Sequence, residues 1–501
     1  MIILEEADQQ AKLDSSVAGP TLRFPDRAVG RSSSPLPDYE TSQALQHNLA
    51  TPRKYLHSKV DARFWRATLY ALVIYVALSV VIGVPLIVTR FAKQHRGPPG
   101  GGPWHGDDGS ISPQTPTNNA VLSLESLGCN SWDTIEDDPS HSLFSASTSH
   151  TLSPNGTFSI HSNVSHEADS AAGISGNLTV DINPDPSADA VLLLVSLQSS
   201  SLQLRRNTHI CFVDAGSERG VSLYFPSHLG GDASISVAIT LLFPQMSRAI
   251  SIDCLATYLP MFTQVFGDFG DNILFNKISI EGASMGIACD FMQAPKISVK
   301  NALASITGTF NASERLRLDN VGGPIYASIT LVQDKDRHQP TFFYLDTGNS
   351  EINASVTLLA PDRYNDPLHF IGDVKNFNGP LTLNVSHDPS TPPVFLELHV
   401  QNAQAESNVT LDAKYTGFFD VQTKLASVAV KESRIDPSWD PSGENRYRQC
   451  VYEHSTTNRV RGWIGWGQKP TSWKPREGRV EVTSSLSPVN LHLAGPSEGT
   501  S

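Results

Sequence analysis

Between residues 276 and 435 one motif recurs, and it constrains the fold more than any other feature of the chain. Alternating apolar residues lead into a small turn, often through Asn, and a second alternating stretch follows. KISVKNALASITGTF, RLRLDNVGGPIYASITL, FFYLDTGNSEINASVTL, IGDVKNFNGPLTLNV and LELHVQNAQAESNVTLDA all fit it. Aligned on the turn, Gly282, Asn301, Asn320, Thr347, Asn376 and Asn402 are equivalent, at steps of 19, 19, 27, 29 and 26 residues. After the turn, Ile325, Ala327, Ile329 and Leu331 fall on one face, and Tyr326, Ser328 and Thr330 on the other. Side chains alternate across a strand, so each unit buries one row and exposes the next. A lone hairpin of this size is not stable, whereas stacked copies share a core. The pattern predicts a mainly β, solenoid-like repeat. An antiparallel β-sandwich of hairpins is the alternative. Asn tolerates left-handed backbone and bonds its own turn, which suits it to these corners. The longer steps carry polar, Pro-containing inserts such as QDKDRHQP and HDPSTPP, expected as loops on one side.

The motif bears on a possible catalytic reading. Asp346-Thr347-Gly348 follows an apolar strand, as the catalytic triplet of aspartic proteases does, and CFVDAGSE offers Asp214 as a second half. Two carboxylates sharing a proton could activate water. Against this, Ala215 follows Asp214 where a hydroxyl residue belongs, and no Tyr-Gly flap is present. Asp346 also occupies a repeat position filled elsewhere by Glu281, Lys300, Asp319, Lys375 and Gln401, which suits a solvated strand end. A polysaccharide-cleaving β-helix enzyme would need several acids on one patch. Asp319 and Asp346 could be neighbours, with no third acid at that register. No metal or cofactor motif occurs.

The rest of the chain sets the context. Ala67–Thr89 is 23 residues without a charge, closed by Arg66 and Arg90, and about 20 apolar residues cross a bilayer. Arg53, Lys54, Lys59, Arg63 and Arg66 precede it; Arg90, Lys93 and Arg96 follow. The excess on the N-terminal side places residues 1–66 in the cytoplasm as a disordered tail. Leu36-Pro37-Asp38-Tyr39 in that tail could dock to a WW-type domain. Residues 90–120 are a Gly/Pro-rich stalk, and the ectodomain follows. Residues 121–275 read as strands, either early rungs or a separate β-domain. Residues 436–477 form a Trp/Arg/Gly-rich insertion, and 478–495 return to the motif as a closing unit.

Beyond the span, Asn155, Asn163, Asn177, Asn311, Asn353, Asn384 and Asn408 head Asn-x-Ser/Thr sequons. They fit an extracellular or lumenal face, although a stretch this rich in Asn, Ser and Thr generates several by chance. Residues 91–501 hold 27 Lys/Arg against 42 Asp/Glu, an acidic balance that argues against nucleic acid. The five cysteines, all past the span, allow two disulfides and a spare thiol, or five buried thiols. Trp463, Trp466 and Trp473 could form an aromatic platform for sugar or protein, or pack over the end of the stack.

RGWIGWGQKP followed by GRVEVTSSLSPVNLHL resembles an uncharacterised family of single-pass membrane proteins in mushroom-forming fungi. The repeat zone resembles the β-solenoid head domain of bacterial adhesins. These resemblances imply a surface-exposed β-rich ectodomain and supply no catalytic residues. The expectation is a non-catalytic type II membrane glycoprotein that binds wall glycan or protein.

Overall fold

The computed structural model describes residues 128–138, 140, 143–164, 173–226, 229, 233–333, 339–361, 369–471 and 477–494. The tail, Ala67–Thr89 and the stalk lie outside these residues. No helix among the described residues is long and apolar enough to cross a membrane. The described chain is mainly β, with one short α-helix, Leu202–Asn207.

Each repeat is a pre-turn strand, a turn and a post-turn strand, and like strands pair with like in parallel. Asn301, Asn320, Thr347, Asn376 and Asn402 lie side by side in that order, continued by Ser484 and Thr423. On the post-turn sheet, Ile306, Ile325, Ile352, Leu381, Ser407 and Val489 are likewise in register. The antiparallel hairpins of the alternative architecture do not occur within the repeats. Parallel pairing puts identical positions over one another, so every inward row extends the same core. The column Leu318, Leu345, Val374, Val400 and Val482 is fully shielded from solvent, and each such side chain contributes about 1.5–3 kcal/mol. In the adjoining column Gly372 faces Phe343 and Leu398. A Cβ there would lie 2.2 Å from Phe343 Cζ, so the ring fills the space the glycine leaves.

The Asn column works differently from the expectation. None of its members has a left-handed backbone; among the described residues only Asn130 and Asn445 do so outside glycine. Each instead ends its strand with the side chain turned inward; the Asn members bond their own turn and that of the preceding unit, and Thr347 bonds the preceding one at the Gly323 carbonyl. Asn320 Nδ2 donates to the Ala304 carbonyl at 2.8 Å, while its Oδ1 accepts from Gly323 N–H at 3.0 Å. The column is therefore a stitch between turns, and buried turn groups need such partners.

The described part of residues 121–275 shares its sheets with the repeats and forms no separate domain. Ile250–Tyr258 pairs with Lys277–Glu281, and Phe262–Asp268 with the first half of Ile287–Asn301. The unit 156–182 lies inside the unit 218–243, although it comes first in sequence. The other end mirrors this. Gly478–Ser484 lies between Phe395–Asn402 and Gly417–Thr423, so the closing unit is inserted and does not cap the stack. The cap is antiparallel: Arg459–Trp466 covers Gly417–Thr423, and Arg448–Ser455 follows. At the first end, His209–Ala215 and Val191–Ser199 do the same for the two sheets. Of the post-turn edge only the five-residue Val428–Glu432 remains, bearing Lys431 and Glu432, and short charged edges resist strand addition.

One disulfide forms, Cys129–Cys211, tying the start of the described chain to the outermost strand. Cys254 and Cys289 are buried thiols and Cys450 is half-buried, so no second disulfide forms.

Candidate functional site

Inward alternation fixes what faces solvent, and the two outer faces differ in chemistry. The pre-turn face presents Arg315, Arg317 and Asp319, then Phe342, Tyr344 and Asp346, then Ile371, Asp373 and Lys375, then Glu397, His399 and Gln401. Its charges are paired locally. Arg317 bonds Asp319 at 2.7 Å and Lys375 bonds Asp373 at 2.6 Å. His399 contacts Glu397 at 3.2 Å and Glu481 at 3.1 Å. Arg317 and Lys375 flank the Tyr344 ring, 5.1 and 5.2 Å from its centroid.

Asp346 sits at the middle of this face. The register makes Asp319 its direct neighbour on one side and Lys375 on the other. Burial raises its carboxyl above the usual range; Asp319 and Asp373 add to this, opposed by the Tyr344 hydroxyl and Lys375. That hydroxyl donates to Asp346 Oδ2, and burial followed by this bond pushes the phenol upward. Asp373, the third acid nearby, is offset by two residues along its strand, opposite Tyr344, and engaged by Lys375.

Asp214 is elsewhere. It lies on His209–Ala215, the outermost strand at the first end, exposed and paired with Arg219 at 3.4 Å. Several strands of the same sheet separate it from Asp346. At nearly 5 Å per strand the two carboxylates are roughly 30 Å apart. They cannot share a proton, and the aspartic protease geometry is absent. Among the described residues no cluster of His, Cys, Asp and Glu could hold a metal.

The tryptophan platform is also corrected. Trp463 and Trp466 are buried, at 1% and 7% exposure. Trp463 Nε1–H donates to Glu477 Oε1 at 3.3 Å and Trp466 Nε1–H to the Ala413 carbonyl at 3.1 Å. With both ring and N–H committed, they close the cap and offer nothing to a ligand. Trp473 lies outside the described residues.

The outward columns of the post-turn face hold no Asp, Glu, Lys or Arg from Thr307 to His492, although Glu351 and Glu406 at its edge bond Tyr326 at 3.1 Å and Asn490 at 2.7 Å. Its first column reads Thr307, Tyr326, Asn353, Thr382, Asn408 and Asn490. The second reads Thr309, Ser328, Ser355, Asn384, Thr410 and His492, and the third Asn311, Thr330, Thr357 and Ser386. Hydroxyls and amides thus repeat every 5 Å or so across strands and roughly 7 Å along them. This also explains the sequons. An outward row filled from Asn, Ser and Thr with period two spells Asn-x-Ser/Thr, as at Asn353, Asn384 and Asn408. Asn353 and Asn384 are exposed, as are Asn155 and Asn177, while Asn311 and Asn408 are half-buried. The Asn163 amide is tied to the Phe225 backbone through both its atoms. Alternation along the sequence already puts Asn353, Asn384 and Asn408 on the outward row after the turn. The neutral lattice joining them becomes visible once the register is known.

No family model matches the chain, and no curated protein matches it. Two solved structures align weakly. A "putative cell adhesion protein" of Clostridium sporogenes is 7% identical, over 70% of this chain and 99% of that one, with a TM-score of 0.14. A "putative adhesin" of Parabacteroides distasonis is 9% identical, over 69% and 96%, with a TM-score of 0.18. At these scores the likeness carries no argument about fold or function.

Proposed function

We propose that this chain is a non-catalytic, single-pass membrane protein whose stacked units form a β-solenoid ectodomain adhering to neutral glycan. The observation that carries the reading is the uncharged hydroxyl and amide lattice on the post-turn face. Such a surface offers donors and acceptors at a fixed spacing without the desolvation cost of ions. That suits wall polysaccharide or a glycan-coated protein. The non-catalytic half of the reading rests on the pre-turn face, where Asp346 is engaged by Tyr344 and flanked by Lys375. Ala67–Thr89 anchors the protein with its tail in the cytoplasm, and the exposed sequons outside this lattice, Asn155 and Asn177, carry N-glycans.

The test is co-sedimentation of the protein with insoluble chitin and β-1,3-glucan. Retention by at least one polymer, insensitive to 0.5 M salt, is expected. Thr382→Lys combined with Thr330→Glu should weaken it about tenfold by adding charges that binding must desolvate. Unchanged retention in that variant refutes the assignment of this face. Glycosidase treatment of intact membranes, with external protease, should shorten the C-terminal part and leave the tail protected.

A further inference from the structure

We propose that the corner opposite the Asn turns holds a binding site for a neutral pyranose. At this corner each post-turn strand passes into the next pre-turn strand. Ile287–Asn301 and Ile306–Asn320 make the passage without leaving strand conformation. In the flanking units strand conformation lapses after Asp268 on one side and after Val332 on the other. The row of corner segments is therefore interrupted, and a groove of about 270 Å³ opens there. Asn276, Gln293 and Asn311 supply amides on successive units, while Leu274, Pro295 and Val332 supply aliphatic surface. None of the residues lining the groove is ionisable. Asn311 Nδ2 donates to Gln293 Oε1 at 3.2 Å, which holds the two amides together on one wall. Leu274 is 46% exposed beside them.

A pyranose has hydroxyls around its rim and C–H groups on its faces. Side-chain amides match the rim as combined donors and acceptors, and Leu274 and Pro295 match the faces. A concave, mostly apolar site with a few convergent polar groups is how proteins hold small polar ligands. Asn311 also begins the third column of the neutral face, but Asn276, Gln293, Leu274 and Pro295 belong to none of its columns, so the site stands whether or not that face binds polymer. Two sources of the sugar share this chemistry. One is the first residue of a glycan on Asn311, whose sequon runs through Ser313; the other is the end of an external chain.

The test uses the full chain, solubilised from membranes, with N,N'-diacetylchitobiose and laminaribiose as probes followed by saturation-transfer NMR. Ser313 itself lines the groove, so the glycan is avoided by producing the chain with N-glycosylation blocked, which keeps both Asn311 and Ser313. In that background at least one disaccharide should bind, about tenfold more weakly after Gln293→Ala or Asn276→Ala, at unchanged melting temperature. If the glycosylated chain fails to bind where the unglycosylated one does, the natural occupant is the chain's own glycan. If the glycosylated chain binds equally well, it is an external sugar. The proposal is overturned if neither disaccharide binds the unglycosylated chain, or if binding survives both amide substitutions.

Discussion

Replacing single members of the Asn column tests whether the stitch between turns holds the stack together. Asn376 Nδ2 donates to the Ser350 and Gly379 carbonyls at 2.8 and 2.9 Å, and its Oδ1 accepts from Gly379 N–H at 3.1 Å. Asn376→Ala removes three buried bonds at about 1 kcal/mol each and leaves turn groups unpaired, so a loss of about 3 kcal/mol is expected. Asn402 is a graded comparison. Its Nδ2 donates to Gly379 and Glu406 carbonyls at 3.0 and 3.3 Å, but its buried Oδ1 has no partner among the described residues. Asn402→Ala deletes that orphaned atom along with two bonds, so the loss should be nearer 1 kcal/mol. Exposed Gln401→Ala, one residue away, should change stability by less than about 0.5 kcal/mol. Both Asn side chains share the Gly379 carbonyl, so the double variant should be non-additive. Urea midpoints at constant slope provide the measurement. If Asn376→Ala falls within error of Gln401→Ala, or the two Asn variants rank the other way, the turns are not held as described.

Other predictions follow from the same rows. Gly372→Ala should cost about 1–3 kcal/mol by pressing on Phe343, and Phe343→Leu should recover part of it, read as melting temperatures of the single and double variants. His399 has its pKa raised, first by its bond to Glu397 and then by Glu481, against burial. A folded value above the unfolded one near 6.5 means that its stabilisation is complete below pH 6.5 and fades as pH rises through the folded value. His399→Gln should flatten that part of the pH–stability profile, and an unchanged slope would refute the role. Reducing Cys129–Cys211, which closes a separation of 82 residues, should lower stability by roughly 4 kcal/mol. Cys211→Ser should show no further loss when reductant is added.

The repeat frame was legible because alternation and the polar corner are local, and they recur within a few tens of residues. Asn301 through Asn402 could be aligned by eye, and the alignment placed Asp346 on a solvent-facing strand end. The ends were not legible. Nothing local in Gly478–Leu493 says that it slips between two earlier units; that depends on pairings made across the intervening cap. The tryptophans misled for a related reason. A Gly-rich, Arg-rich neighbourhood resembles exposed loop, yet Gly462 and Gly465 sit in an edge-covering strand where Phe419 and Trp463 fill the space beside them. The neutral face needed register as well, since each strand contributes only two or three of its groups. The groove at Asn276, Gln293 and Asn311 left its trace only in step length, as two short steps of 19 residues before the longer ones.

The inward placement of the units 156–182 and 478–493 alters how the stack yields under load. In a simple array of repeats the terminal units peel away first, and the chain pays out from its ends. Here the outermost units, 218–243 and 417–432, are internal stretches of sequence. If one detaches together with the cap that covers it, it hangs as a loop whose roots, in Ile174–Ile182 and Ile250–Tyr258 at one end and Ser407–Leu411 and Gly478–Ser484 at the other, remain paired. Such a molecule can lengthen under a tug while the rest of its sheets stay paired.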